Sequence, residues 1–344
     1  MIIQLPAIRY KQAEKEFFIS AIRAKDVQEL IDRHDDYYRH LLDQDPNNFV
    51  QRDLVRKHIK ALNEYIMEGD YIIPPVIVEI VTDHINFVDD SKDGYSGSIL
   101  IHEHEKMLIV DGNHRLRSIR QMVESNSMPK DDNIPVVFVR HESLADTRKR
   151  FSDVNKNQMR VRKALCTAMD QRSPYSAIAR YIADYWSLGK YISWGTSTKR
   201  NKKTRSCYKL NAFEAAAQHL ESVLTLNPDM HLRFWSEFAH NQPHLRSVIA
   251  DESKIDFVKK ETILLTNTAI TSIARAAEEC CGQKNVTPAQ FLEAVSRMDW
   301  RRSGDQLGEF RNVRGNTVIS GVSVDKQIAK KITEWVLRYH SLNE

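Results

Sequence analysis

The stretch from residue 106 to residue 123, KMLIVDGNHRLRSIRQMV, constrains the fold most. Its first part is a short apolar run, which is typical of a buried strand. Its last part places Leu116, Ile119 and Val123 at helical spacing. Between them stand the small and polar residues Asp-Gly-Asn-His-Arg. The pattern predicts a strand that runs into a helix through a tight corner, in an α/β arrangement.

This corner has the chemistry of a phosphate site. The N-terminus of the predicted helix exposes unpaired backbone N–H groups and the positive end of the helix dipole. Gly112 lets the backbone approach a ligand closely, and Arg115 can donate two hydrogen bonds to phosphate oxygens. Asp111 can hold Mg²⁺ or orient a water, His114 can transfer a proton, and Asn113 can donate and accept. The alternative is a simple turn, in which an Asp or Asn caps the helix and the other side chains are solvated.

Helices and strands alternate in the rest of the first half. Helical spacing predicts a helix over 50–68, and Val- and Ile-rich runs predict strands over 74–81 and 133–140. The runs SILIHEH and KMLIVD predict a hairpin around Glu105. We therefore expect an α/β domain over residues 1–150.

Beyond residue 150 the pattern becomes helical, and we expect a mostly α-helical domain over 151–344, which makes the chain α+β overall. Thr287-Pro288 is a typical helix start. The predicted amphipathic helices are SAIARYIADYW, NAFEAAAQHLESVLTL, ETILLTNTAITSIARAAEE, TPAQFLEAVSRM and DKQIAKKITEWVLRYH.

Composition excludes several classes of protein. A hydrophobic content of 42% and a charged content of 28% fit a soluble globular protein. No apolar run reaches the length of about 18 residues that a membrane span needs. Four cysteines without a CxxC pair indicate neither a disulfide framework nor a zinc knuckle. The N-terminus lacks the layout of a signal peptide, so we expect a cytoplasmic protein without a membrane partner.

The run VDGNHRLRSI resembles the DGQHR motif of the DndB-like proteins, with Asn113 in place of the usual glutamine. Two other blocks are similar to the same family. VQRDLVRKHIKALNEYI, followed by YIIPPVIVEI, resembles the family's Gln-Arg helix and first strand. RFSDVNKNQ and KALCTAMDQRSP resemble its Phe-x-Asp-x-Asn segment and its later Asp-x-Arg. The three blocks span roughly residues 50–175.

The wider group is the ParB/sulfiredoxin-like superfamily, whose members bind a nucleoside triphosphate at a Gly-x-x-Arg loop on a helix N-terminus. The resemblance implies this fold for the N-terminal α/β domain, with ATP and Mg²⁺ as cofactors. It implies catalytic roles for Asp111, His114 and Asn155, with Asp111 and Asn155 also binding the metal. The nucleotide-binding residues that it implies are Arg52, Gly112, Asn113, Arg115, Gln158 and Arg160.

The resemblance also implies a function. DndB proteins accompany the genes for DNA phosphorothioation, and the related DpdB accompanies a transglycosylase that inserts a 7-deazaguanine base. We therefore expect an ATP-hydrolysing accessory protein of a bacterial DNA-modification system. It would act with DNA and with a partner enzyme, either the transglycosylase or a sulfur-transfer complex. One alternative is a non-enzymatic DNA-binding transcriptional regulator of a phosphorothioation gene cluster, and another is a ParB-like DNA nickase. A homo-oligomer is compatible with all three.

A basic segment in the second half points to nucleic acid. Residues 197–210, STKRNKKTRSCYKL, carry six cations and no acid and lack apolar periodicity. They predict a solvated loop that can neutralise DNA phosphates, the alternative being an ordinary basic surface loop. A second basic concentration spans 148–163 and overlaps the predicted nucleotide site. The candidate DNA-binding residues are Lys199, Arg200, Lys202, Lys203 and Arg205.

Overall fold

The chain divides between residues 159 and 160 into two units. The main apolar core of the first unit lies within residues 7–138, and that of the second within 164–336. The expected domain boundary after residue 150 falls inside a helix, Leu144–Lys156, which stays with the first unit. The computed structural model describes residues 2–48, 54–156, 161–195, 206–304, 307 and 322–342.

The first unit combines one sheet with four described helices. Its strands are β1 Ile2–Gln12, β2 Lys15–Arg23, β3 Val76–Val81, β4 Asn86–Asp89, β5 Ser96–His102, β6 Lys106–Asp111 and β7 Asn133–Arg140. Its helices are α1 Val27–Gln44, α2 Arg56–Met67, α3 Asn113–Glu124 and α4 Leu144–Lys156. The strands predicted over 74–81 and 133–140 are confirmed as β3 and β7, and α2 lies within the helix predicted over 50–68.

The seven strands form one mixed sheet in the order β4–β5–β1–β2–β7–β3–β6. The β3–β7 pair is parallel and the other pairs are antiparallel. The predicted hairpin of β5 with β6 is wrong, because β6 pairs with β3 while β5 pairs with β1 and β4. Only residues 103–105 connect these two strands, and such a connection spans at most about 14 Å. Since four strands separate them in the sheet order, the sheet must curl until its ends approach.

Helix α1 covers the unpaired side of the edge strand β6. His34 accepts a hydrogen bond at Nδ1 from the backbone N–H of Ile109, with 3.3 Å between the two nitrogens. Arg33 donates to the carbonyl oxygens of His102 and Glu105, at 2.7 and 3.1 Å. Burial lowers the pKa of His34 to about 4, so its ring is neutral at pH 7. The helix therefore fixes the strand that leads into the predicted corner.

The second unit is helical apart from two short parallel strands, β8 Ile192–Ser193 and β9 Tyr208–Lys209. Its described helices are α5 Lys163–Met169, α6 Pro174–Tyr185, α7 Leu210–Leu224, α8 Pro228–Asn241, α9 Pro243–Ala250, α10 Ile255–Glu261, α11 Asn267–Gln283, α12 Pro288–Ser296 and α13 Val322–Ser341.

Local capping explains several of these helix boundaries. α6, α8, α9 and α12 each begin with a proline behind an N-cap side chain that accepts a backbone hydrogen bond. The predicted start at Thr287 is confirmed, with a complete capping box. The helix predicted from Glu261 onwards is interrupted, because Thr266 caps a new helix that begins at Asn267.

The described chain is therefore α/β in its first unit and helical in its second, in the order that the sequence predicts. The core of the second unit is rich in aromatic rings that pack edge to face, such as Phe213 against Trp235 and Trp235 against Phe238. Among the helices that the structure describes, none is both long and apolar enough to cross a membrane.

Candidate functional site

The predicted corner lies between β6 and α3. Asp111 ends the strand, Gly112 is the N-cap of the helix and Asn113 is its first residue. Gly112 has a φ of +96°, and a Cβ at this position would lie 2.4 Å from Cγ1 of Val76 on β3. Both the backbone angle and the lack of space therefore require glycine here. The strand and the helix predicted on either side of the corner are confirmed.

Asp111 and Arg115 form an ion pair across the first turn of α3, between Oδ2 and Nη2. Their side chains are 23% and 20% exposed, so both are within reach of a ligand from solvent. The guanidinium uses only Nη2 in this pair, and its other nitrogens make no hydrogen bond to a described residue. Arg115 can therefore keep Asp111 in place and still donate to a phosphate.

His114 is tied to the start of α2. Its Nε2 accepts a hydrogen bond from the backbone N–H of Val55, with 2.9 Å between the nitrogens. A ring that accepts at Nε2 in this way is neutral and carries its proton on Nδ1. The ring of His58 lies beside it, with 5.6 Å between the ring centres. His114 therefore links the corner to the start of α2.

Asn113 is held by a chain of polar contacts that reaches α1. Its Oδ1 accepts a hydrogen bond from Nε of Arg117 at 3.1 Å, and Arg117 forms an ion pair with Asp35. The two contacts fix the side chains of Asn113 and Arg117 on α3. Since Asp35 follows His34 in α1, one helix anchors both the strand and the helix that meet at the corner.

Asn155 reaches the corner from the last turn of α4. It lines a small cleft together with Phe151 and with residues 110–114. Nδ2 of Asn155 donates to the carbonyl of Phe151 at 2.8 Å, which leaves Oδ1 as its acceptor for a ligand. The cleft encloses about 30 Å³, room for about two water-sized groups. A phosphate oxygen, a hydrated ion or a water fits this space, whereas the rest of a nucleotide would lie outside it.

A buried carboxylate positions α4, and the sequence analysis missed it. Glu79 stands in the middle of β3 and is completely buried. It accepts hydrogen bonds from Oγ1 of Thr147 at 2.6 Å and from Nδ1 of His141 at 2.7 Å, and it forms an ion pair with Arg150. Thr147 and Arg150 belong to α4, so this Glu79 cluster fastens the helix that carries Asn155 to the sheet. The signal in the sequence was one acid within the apolar run VIVEIV.

The structure brings together Asp111, Gly112, Asn113, His114 and Asn155 in the cleft and places Arg115 beside Asp111. The other predicted site residues lie outside the described ranges. They are the nucleotide-binding residues Arg52, Gln158 and Arg160 and the DNA-binding residues Lys199, Arg200, Lys202, Lys203 and Arg205.

The donor set at the cleft fits Mg²⁺ held together with a phosphate ligand. Within the described ranges, no three His, Cys, Asp or Glu side chains converge as a metal site would require. Mg²⁺, however, keeps several waters and takes few protein ligands when it accompanies phosphates. The Asp111 carboxylate and the Asn155 amide oxygen are hard oxygen donors of that kind. They could hold the ion only through this shared mode.

Comparison with known proteins confirms the family that the sequence resembles. A family model described as DndB, DNA-sulfur modification-associated, matches residues 5–337. No curated protein sequence matches the chain significantly, and neither does any solved structure. The family match covers the corner, α4 and most of the helical unit.

Proposed function

The chain belongs to the DndB family of DNA-sulfur modification-associated proteins, and we propose that it supports DNA modification by binding and hydrolysing ATP with Mg²⁺. The observation that carries this proposal is the cleft in which the corner residues meet Asn155 of α4. Two distant parts of the sequence, both singled out by the resemblance, thus supply one site. We propose further that the first unit is a ParB/sulfiredoxin-like domain. Its corner has a glycine at the N-terminus of a helix and an arginine three residues later, as in the Gly-x-x-Arg loop of that superfamily.

Phosphate recognition would rest on α3 and Arg115. The N-cap of α3 is glycine, no side chain caps the helix, and its first turn contains no acidic residue. The backbone N–H groups of the first turn of α3 would donate to phosphate oxygens, and the helix dipole favours the negative charge. Arg115, in the same first turn, would add charge-assisted hydrogen bonds to the phosphate oxygens.

Asp111 and Asn155 would position the metal and the attacking water. When bound, Mg²⁺ would neutralise the charge that develops on the phosphates. The Asp111 carboxylate can accept a hydrogen bond from the water. Oδ1 of Asn155 can accept a second hydrogen bond from the same water at the other wall of the cleft. His114 would stabilise the charge that develops on the terminal phosphate, since it stands in the first turn of α3 and lines the cleft.

The partners that we propose are DNA and other proteins of the sulfur-modification system. The description of the family favours this context over insertion of a 7-deazaguanine base. Hydrolysis would then be stimulated by DNA, by a partner protein or by both.

The test is release of phosphate from ATP and Mg²⁺ by the purified full-length chain, with and without duplex DNA. We expect Asp111→Asn to lower turnover by about 100-fold or more, because a preorganised charged group is lost. Arg115→Ala should raise the Kd for ATP about tenfold, since it removes hydrogen bonds to charged oxygens. The matched control is Asp43→Ala, which removes an exposed carboxylate from α1 and should leave turnover unchanged.

Other outcomes would redirect the assignment. Full activity in Asp111→Ala would contradict the ATPase proposal. Salt-dependent DNA binding without phosphate release under any condition would favour the transcriptional regulator. Relaxation of a supercoiled plasmid with Mg²⁺ would favour the nickase.

A further inference from the structure

A second cavity lies within the helical unit, apart from the cleft at the corner. It has a volume of about 480 Å³ and is formed by the start of α5, the end of β8 and the start of α7. Five of its seven described lining residues have polar or cationic side chains, and we call it the cationic pocket. The lining residues that matter are Arg162, Lys163, Ser193, Gly195, Lys209 and Asn211.

The charges of the pocket have one sign. Arg162, Lys163 and Lys209 are exposed, and none of the described residues that line the cavity is acidic. None of these three cations forms an ion pair with a residue in the described ranges. In the first unit, by contrast, Arg115 and Arg117 are each paired with a carboxylate. Three uncompensated cations around one cavity favour an anionic ligand.

The backbone brings these charges together. Gly195 has a φ of +82°, and a Cβ there would lie 2.7 Å from the backbone nitrogen of Leu165 in α5. The chain after β8 therefore packs directly on the first turn of α5, beside Arg162 and Lys163. Pairing of Ser193 with Lys209 in the short parallel sheet brings the third cation to the same place.

Neutral polar groups complete the pocket. α7 has 15 residues, and neither a capping side chain nor an acidic residue occupies its N-terminus. Asn211, in its first turn, has a buried side-chain oxygen without a hydrogen-bond partner in the described part of the chain. The nitrogen and oxygen of an amide exchange places by a half-turn of the side chain, so Asn211 can also present its NH₂ group. A buried polar atom without a partner is typical of a site that takes a ligand or water.

We propose that the cationic pocket binds phosphodiester groups of the DNA backbone. The shared chemistry is that of a phosphate, which DNA or a free nucleotide could supply. None of the lining residues within the described ranges has an aromatic side chain on which a nucleotide base would stack, which favours the DNA backbone. The proposal deepens the DNA partnership of the proposed function and rests on it, but it is independent of ATP hydrolysis at the corner.

The test compares two triple variants of the full-length chain. Arg162→Gln, Lys163→Gln and Lys209→Gln together neutralise the pocket. Arg233→Gln, Lys254→Gln and Lys260→Gln together are the matched control, because they remove one exposed arginine and two exposed lysines of the same unit outside the pocket. All six side chains are exposed, so we expect both variants to fold, which circular dichroism would verify.

The measurement is fluorescence anisotropy of a labelled duplex at several salt concentrations. Each phosphate contact contributes about 0.9 to the slope of log Kd against log salt. We expect the pocket variant to lose between about two and three units of this slope and to bind about tenfold or more weakly at low salt. The control variant should keep the wild-type slope within about 0.5.

A parallel titration with ATP separates the two sources of phosphate. We expect the pocket variant to bind ATP as the wild type does. Loss of ATP binding with unchanged DNA binding would assign the pocket to a free nucleotide and overturn the proposal, as would an unchanged salt slope. A pocket variant that loses DNA binding while Asp111→Asn keeps full turnover would uphold this inference and refute the assignment of ATP hydrolysis to the corner.

Discussion

The first unit contains two clusters of charged side chains that differ in how far the protein satisfies them. In the Glu79 cluster, a carboxylate without any exposed surface receives hydrogen bonds or an ion pair from three neighbouring side chains. At the corner, Asp111 and Arg115 pair with each other but remain about one-fifth exposed. Buried charges are tolerated only when they are fully paired, whereas partly exposed ones can exchange partners with a ligand. The comparison favours a structural role for Glu79, whereas the corner keeps side chains that a ligand from solvent can reach.

Stability measurements can test this comparison if the two units are followed separately. All five tryptophans lie in the second unit, at positions 186, 194, 235, 300 and 335. Tryptophan fluorescence therefore reports the second unit and serves as an internal control. Hydrogen exchange of peptides from β3 and β6 reports the first unit.

The largest expected effect is that of Glu79→Ala. The substitution leaves Arg150 and His141 without their buried partner, and we expect the free energy of unfolding of the first unit to fall by about 3–5 kcal/mol. Hydrogen exchange in urea would measure this loss. A stability equal to that of Asp43→Ala, which removes an exposed carboxylate, would show that the Glu79 cluster does not hold α4.

Gly112→Ala should come next. The left-handed backbone costs about 1 kcal/mol for alanine, and overlap with Val76 adds about 1–3 kcal/mol. Gly69→Ala is the matched control, because Gly69 has a φ of +80° but no atom within 4 Å of its added Cβ. Equal losses in both variants would mean that the corner yields to the extra methyl group.

The third effect is a dependence on pH through His34. Its pKa is about 4 in the folded unit, against about 6.5 when the chain is unfolded. Below pH 6.5 the unfolded chain binds a proton that the folded one refuses, so stability falls as the pH falls. Between pH 6.5 and 5 we expect a loss of about 2 kcal/mol, which His34→Gln should abolish. The same slope in both proteins would assign the loss to other groups.

The smallest effect on stability is expected for Asp111→Asn. A partly exposed ion pair contributes about 0–1 kcal/mol, so the free energy of unfolding should barely change. The same variant should lose nearly all phosphate release. A variant that is strongly destabilised instead would place Asp111 with Glu79, as a structural residue.

The parts of the fold that could be predicted are those with local signals. The apolar run of β7, the Thr287-Pro288 helix start and the glycine at the corner are each encoded within a few residues.

Neither the first hairpin nor the long-range pairing of strands could be predicted. Strands β1 and β2 turn at Ala13 and Glu14, with φ values of 46° and 63°, although neither residue type signals a turn with positive φ. The runs of β5 and β6 are neighbours in sequence and suggest a hairpin, but their partners come from other parts of the chain. Pairing across such distances depends on the whole sheet.

The site was only partly predictable for the same reason. The motif identified the corner and Asn155, but the donors to Glu79 come from β7's end and from α4. One acid in an apolar strand indicates that buried partners exist without telling which they are. The tautomer of His114 likewise depends on Val55, a contact between distant parts of the sequence.

The anchoring of α4 has a mechanical consequence. A hydrogen bond from Thr147 and an ion pair of Arg150, both to Glu79, attach the helix to the sheet. Asn155 stands five residues beyond Arg150. Five residues of helix measure about 7.5 Å, so Asn155 lies close to the point where α4 is attached. A helical segment this short bends little, and Asn155 therefore keeps its position in the wall of the cleft. The rigidity of this wall of the cleft therefore depends on the contacts of Glu79, which is buried in the sheet.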